Sequence, residues 1–408
     1  VLIFTSGTTS AAKGVMICNR NLAANINAVT PYVWLTPEDR LFSVLPLHHT
    51  YESTIGFLYP MAIGASIVVC QGLKHLVSDM QTTHPTAIIA VPLLIETLYK
   101  KIQKNIEKSK KGGAVRSMIR LTNGLRNVGI DVKHKVFKDI YESLGGRLRI
   151  IVSAAAPIDA KVGKWLVDIG ITFLQGYGLT ETAPIAALTP DFDMRVGSAG
   201  KAVHGDEIKL KNPNEKGEGE ILIKGETVML GYYADPEATA TVMEDGWFNS
   251  GDIGYMDEDG FLYITGRSKN VIVTQNGKNI YPEEIEGLLA AVPEIAECMV
   301  YGKEVAGEKE LIITARVIPN YEEIENLHGA ERKNPLQPFT EEEIYKIIWN
   351  QIKQVNRKLS NYKCIRNLEI KTDAFEKTST MKIKRFAELK NNEVKEMPNM
   401  EEGAKPEA

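Results

Sequence analysis

The chain has 408 residues, 44% hydrophobic and 25% charged, with a net charge of −4. These values fit a globular protein of about two or three domains at roughly 150 residues each, large enough to bury a core without disulfides. They exclude a chain-wide basic field for nucleic acid, and no apolar stretch is long enough to span a bilayer, the longest being broken by Pro92. The four cysteines, Cys18, Cys70, Cys298 and Cys364, form no C-x-x-C pair and read as buried free thiols in a reducing compartment.

In chain order, the apolar run Val1 to Phe4 breaks into "TSGTTSAAKG". This reads as a strand feeding an anion-holding loop. Thr5, Ser6, Thr8 and Thr9 offer hydroxyls, Gly7 permits close backbone approach, and Lys13 adds a point charge. It is not a Walker A loop, because Ala12 and Gly14 stand where that pattern needs Gly and Ser/Thr. On its own this stretch reads equally well as a Ser/Thr-rich surface turn.

The runs "SIVVC", "TAIIAV", "LRIIVSA" and "ITFLQ" read as buried strands, and "VPLLIETLYKKIQKNIEK" and "DVKHKVFKDIYESL" as helices between them. The alternation predicts α/β layers around a largely parallel sheet. Residues 99–116 carry a run of cations that reads as a solvated helix end and loop, contact with an anionic membrane surface being the alternative. From about Gly205, "EGEILIKG" and "GFLYITGR" predict a smaller β-rich region.

After Arg267 the pattern restarts. "NVIVTQNGKNIYPEEIEGLLAAV" reads as strand, glycine turn and helix, with Pro282 in the first turn beside Glu283 and Glu284. "CMVYG" and "ELIITARVIP" add strands, and "TEEEIYKIIWNQIKQVNRKL" adds an amphipathic helix. This predicts an α+β domain over 268–386, followed by a polar, frayed tail over 387–408.

Three further stretches carry chemistry. In "FLQGYGLTETAP", Thr180 and Glu181 follow a strand end, where a carboxylate suits Mg²⁺ that keeps water and phosphate as its other ligands, and Tyr177 offers a flat ring for stacking. In "GWFNSGDIG…GFLYITGRSKN", Asp252 has two acceptors for paired hydroxyls and Arg267 a fork of donors. In "EKTSTMKIKRF", Lys382 stands between Met381 and Ile383. Each residue also has a plainer reading: a surface acid, a core tyrosine, a strand-edge lysine.

Taken together with "LPLHHTYE" and "NGKNIYPEEIE", these motifs in this order resemble the adenylate-forming superfamily of acyl-CoA synthetases, luciferases and peptide-synthetase adenylation domains, over residue 1 to about 386. The resemblance implies a layered α/β adenylation domain over 1–267, its N-terminal part missing, joined by a hinge at Lys269 to a small mobile α+β domain. It implies an AMP-forming acid–thiol ligase using ATP, Mg²⁺ and CoA. By matching position, Thr5 to Thr9 with Lys13 would hold the β- and γ-phosphates, Glu181 the Mg²⁺, and Thr180 the α-phosphate. Tyr177 and the backbone at Ala155 and Ala156 would enclose adenine, Asp252 and Arg267 the ribose, and Lys382 would bridge carboxylate and α-phosphate. The Gly277 region would line the thiol channel, and His49 the mouth of an acyl pocket of long-chain fatty-acid type; His48 reads as a packed or surface residue. The implied enzyme is cytoplasmic, with peripheral membrane contact as the alternative to a fully soluble one, and has no nucleic-acid partner. The alternatives left open are a carrier-protein pantetheine as acceptor and a non-catalytic nucleotide-binding relic. Ser10 and Ala12 depart from the family's usual Gly and Pro, which affects the loop's turn and rigidity but keeps its hydroxyls and Lys13.

Overall fold

The computed structural model describes residues 1–5, 12–156, 158–190, 193–274, 278–305, 311–329, 332, 337–378 and 382–390. It divides into two compact units, Val1–Ile264 and Thr265–Ala408.

The first unit is built on a seven-stranded sheet in the order Ser66–Val69, Arg40–Ser43, Ala87–Ala90, Ile150–Ser153, Thr172–Tyr177, Ala187–Leu188, Lys201–Ala202. The first five strands are parallel and the last two antiparallel. The inner parallel strands are covered on both faces, so their apolar runs are continuous; Ser66–Val69, expected to be buried, is instead the sheet's edge strand and has no fully buried residue. Ala87–Ala90 and Ile150–Ser153 are buried at every position. The strand period of two sorts their side chains. Ile88, Ile151 and Phe173 enter one core cluster, while Ala87, Ile89, Ile150, Val152 and Leu174 enter another.

The helix Pro92–Lys108 starts on its proline and buries Ile95, Leu98 and Ile102 at helical spacing. Three expectations are corrected here. "DVKHKVFKDIYESL" forms two short helices, Lys133–Val136 and Lys138–Ser143, because Phe137 leaves helical geometry between them (φ −100°, ψ 25°). Phe137, Ile140, Tyr141 and Leu144 all join the same core cluster. The cationic run 99–116 is not a helix end and loop throughout, since its second part opens a further helix, Gly112–Asn127. The four cysteines are unpaired but half-buried rather than buried. Three of them flank elements: Cys18 before Asn19–Val29, Cys70 after Ser66–Val69, and Cys364 after a 3-10 turn.

The β-rich region is a five-stranded sheet of Asp206–Lys211, Gly219–Gly225, Trp247–Met256, Met243–Glu244 and Leu262–Arg267, the last leading into the second unit. A small sheet joins Leu2–Thr5, Lys13–Met16 and Gly231–Tyr232.

The second unit holds a three-stranded sheet, Ile295–Lys303 antiparallel to Ile312–Pro319, which is parallel to Asn367–Ile370. Helices Pro282–Ala290 and Glu341–Asn356 pack Ile285, Leu289, Ile344, Ile348 and Ile352 onto Val300, Ala315, Val317 and Leu368. Thr340 and Glu343 form a reciprocal capping box at the start of the longer helix. Buried Glu369 accepts hydrogen bonds from Tyr301 at 2.7 Å, Lys303 at 2.9 Å and Arg316 at 2.8 Å. The ordered chain continues past residue 386 as the helix Arg385–Lys390, because Glu388 is buried and accepts from the Glu376 amide at 2.6 Å.

Candidate active site

Three of the quoted stretches leave the carboxyl ends of parallel strands in the same sheet. "LPLHHTYE" follows Arg40–Ser43, "AAAP" follows Ile150–Ser153, and "GYGLTE" straddles the end of Thr172–Tyr177. In open α/β sheets this is the edge where ligands bind.

At Gly178 the chain folds back so tightly that a Cβ would overlap the Pro184 carbonyl, which explains the glycine. A single 3-10 turn, Thr180–Thr182, follows. Asn25 fixes it by donating to the Ile185 carbonyl at 2.7 Å and the Thr182 carbonyl at 3.2 Å. The Met229 amide donates to the Glu181 carbonyl at 2.8 Å. Buried Glu181 thus projects from a pinned backbone. The Tyr232 hydroxyl donates to its Oε1 at 2.9 Å, and among the described residues no cation pairs with it. Burial, then the Glu181 charge, pushes the Tyr232 ionisation far up, so its hydroxyl remains a donor. Tyr232 pairs with Val15 in the small sheet, and Lys13 Nζ lies 4.7 Å from its ring centroid. Lys13, Tyr232 and Glu181 therefore form one chain of contacts.

Beside this, the Tyr177 hydroxyl donates to Asp252 Oδ2 at 2.8 Å, both residues being buried. Asp252 lies mid-strand in Trp247–Met256, where its amide donates to Ser250 Oγ at 3.1 Å. Ala155 holds φ +78°, a strained value for a side-chain-bearing residue, just beyond the strand next to Tyr177's own. Half-buried Thr180 opens the 3-10 turn.

The "LPLHHTYE" stretch enters a π-helix, Tyr51–Leu58, a rare form that recurs at functional sites. His48 is exposed, and its ring lies 4.3 Å from that of His49. His49 Nε2 is buried without a partner among the described residues, and burial then the neighbouring ring lower its pKa. Glu52 is fully buried and accepts from Ser43 Oγ at 2.5 Å through Oε1, while its other oxygen has no partner among the described residues. Burial raises it to about 7 against the Ser43 bond. A Cβ on Gly56 would lie 2.7 Å from this carboxyl, so glycine makes its room.

Sequence reasoning missed Tyr232 and Glu52. Glu52 stands inside a quoted motif but received no role. Tyr232 lies 51 residues from the carboxylate it holds, and only its place in "GYYADPEATA" beside an apolar run marks it.

In the second unit, Arg267 ends its strand, and exposed Lys269 sits in the 3-10 turn Ser268–Asn270. Lys382 is exposed; its amide donates to Thr378 Oγ1 at 3.2 Å and its carbonyl accepts from the Thr378 amide at 2.8 Å. Thr5 is the last residue of its strand, paired with Lys13. Ser6, Gly7, Thr8, Thr9, Ser10 and Gly277 lie outside the described residues.

Among the described residues, no three His, Cys, Asp or Glu side chains cluster to hold a metal. A single carboxylate with acceptor capacity to spare, Glu181, is the donor set that suits Mg²⁺ arriving with phosphate oxygens. No described helix is long and apolar enough to cross a membrane.

Comparison with known proteins bears on this geometry. Residues 1–233 match the family model for AMP-binding enzymes, and residues 269–395 that for the AMP-binding enzyme C-terminal domain. The chain is 31% identical over 410 residues to long-chain-fatty-acid–CoA ligase FadD15 of Mycobacterium bovis, covering 94% of this chain and 66% of that protein. It is 32% identical over 346 residues to human long-chain-fatty-acid–CoA ligase 1, covering 79% of this chain and 48% of that one. Against these two relatives the chain thus spans about half to two thirds of their length. A solved structure of Bacillus subtilis O-succinylbenzoate coenzyme A synthetase, in complex with ATP and magnesium ion, superposes with a TM-score of 0.69 at 25% identity, covering 94% of this chain and 68% of that one.

Proposed function

The chain belongs to the AMP-binding enzyme family, and from that premise we propose that it forms the catalytic part of an AMP-forming acyl-CoA synthetase. The substrate is a long-chain fatty acid, as the names of the relatives suggest. In the first half-reaction the carboxylate oxygen attacks the α-phosphorus of ATP and the bond to pyrophosphate breaks. In the second, a thiolate attacks the acyl carbon and AMP leaves with the electron pair.

The observation that carries this reading is the meeting, at one sheet edge, of the Tyr177–Asp252 pair with the Tyr232-held Glu181. Asp252 accepts the ribose hydroxyls, and its bond to Tyr177 holds the ring against which adenine rests, with the Ala155 and Ala156 backbone opposite. Two anions must approach each other in adenylation, so fixed donors and cations have to offset their repulsion. Lys13 and the Thr5–Thr9 hydroxyls serve the β- and γ-phosphates, and Thr180 the α-phosphate. Glu181 is the residue to hold Mg²⁺, which when bound neutralises phosphate charge. In the second unit Lys382 bridges substrate carboxylate and α-phosphate, Arg267 supports the ribose, and Lys269 is the hinge about which that unit turns so that the Gly277 region meets the thiol's pantetheine arm. His49 lies at the acyl mouth. The enzyme works in the cytoplasm.

The test is ATP–pyrophosphate exchange on the full-length protein with acids of graded chain length, then thioester formation with CoA or with a pantetheinylated carrier protein. Exchange that peaks with long-chain acids, followed by CoA thioester, supports the reading. Loading of the carrier alone corrects the acceptor. Nucleotide binding without exchange for any acid refutes adenylation and leaves a non-catalytic relic.

A further inference from the structure

The helix Gly112–Asn127 buries little of its apolar surface. Val115 and Ile119 pack on the first unit's core, and Thr122 is buried between turns. A second stripe runs beside this face through Met118, Leu121 and Leu125 and continues into Val128, at spacings of three, four and three. It is open to solvent: Met118 is 41%, Leu121 65% and Val128 71% exposed, with Ile130 beyond at 49%. Between Lys108 and Ile130 stand six cations, Lys108, Lys110, Lys111, Arg116, Arg120 and Arg126, and no acid. Among the described residues only Lys111 has an ion-pair partner, Asp139 at 3.5 Å, with both side chains exposed.

We propose that this helix is a membrane-docking element that lays its Met118–Leu121–Val128 stripe into the interface of an anionic lipid bilayer. A helix lying in the interface needs an apolar face that the protein leaves unburied and cations that reach the headgroups. Both are present, on a span of chain without a single negative charge. Charge also selects the occupant. A second copy docked through the same face would set six cations against six, whereas anionic headgroups meet all of them. The inference does not depend on the proposed chemistry.

The experiment is flotation of the full-length protein with phosphatidylcholine vesicles, and with the same vesicles containing phosphatidylglycerol. The wild type floats with the anionic vesicles and dissociates at high salt, since screening shortens the reach of the headgroup charge. The double variant R116E/R120E weakens partitioning at least tenfold, on the order expected when about one kcal/mol is lost per cation near the surface, and M118D/L121D weakens it at least as much by putting two carboxylates where the apolar stripe would enter the interface. ATP–pyrophosphate exchange and the thermal midpoint stay at wild-type values, because all four side chains are exposed. Wild-type protein that ignores anionic vesicles, or variants that float equally well, overturn the proposal. So does a wild-type dimer in solution that M118D/L121D splits, which would make the stripe a self-association face.

Discussion

Each unit buries a glutamate, and the two behave oppositely. Glu52 in the first unit and Glu369 in the second are both shielded from water, and burial drives both pKa values up. Glu52 meets two neutral donors, the Ser43 hydroxyl and the Leu45 amide, and ends at about 7. Glu369 meets the Tyr301 hydroxyl, Lys303 and Arg316, and these bonds pull it below the usual carboxylate range. Burial sets how much is at stake, and the neighbours' charge sets the sign. The opposite signs give opposite pH responses. A proton held by folded Glu52 but lost by the unfolded chain makes stability fall as pH rises from about 4.5 to about 7. Glu369 contributes stability above the ordinary carboxylate range, lost as pH drops through its lowered value.

Removing the cation from the paired glutamate is the most damaging way to test this contrast. Arg316→Met leaves Glu369 with Lys303 and Tyr301 only, and is expected to cost about 3–5 kcal/mol in urea unfolding at neutral pH, the usual cost of breaking a buried pair. Its loss should shrink in acid, where Glu369 is protonated. Glu52→Gln removes the titration itself. The variant should gain about 3 kcal/mol over the parent above pH 7 and nothing below about pH 4.5, as a shift from 4.5 to about 7 implies; a pH-independent difference would show that Glu52 is ionised in the fold. Tyr232→Phe examines an intermediate case, a buried carboxylate held by a neutral donor. It should cost about 1.5–3 kcal/mol, typical of a hydrogen bond to a charged group, and raise the Mg²⁺ concentration needed for half-maximal exchange. Thr340→Ala is the smallest, at about 1 kcal/mol for a lost cap. It weakens the second unit without moving Glu369, so the acid limb of its stability curve should keep its midpoint.

The parallel strands were legible because strands covered on both faces are written as unbroken apolar runs, as in "AIIA" and "IIVS". The helix Gly112–Asn127 was hidden by the two glycines that open it, which read as a turn. The π-helix was not legible, since its five-residue hydrogen-bond step leaves no distinct hydrophobic period. At the site, Tyr177, Glu181 and Asp252 could be named because their motifs are long and ordered. The nucleotide roles proposed for them came from resemblance, as spacing alone left the ligand unspecified. Tyr232 could not be read, because a cross-sheet hydrogen bond has no local pattern.

The hairpin of Leu2–Thr5 with Lys13–Met16 has one more implication. Its last paired residues, Thr5 and Lys13, fix both ends of residues 6–12 one strand spacing apart. The ladder on either side contributes toward offsetting the entropy of closing that span. Doubling a loop's length adds only about 0.6 kcal/mol to closure. The number of residues between Thr5 and Lys13 can therefore change at little cost to folding, so insertions at this point of the chain are thermodynamically cheap.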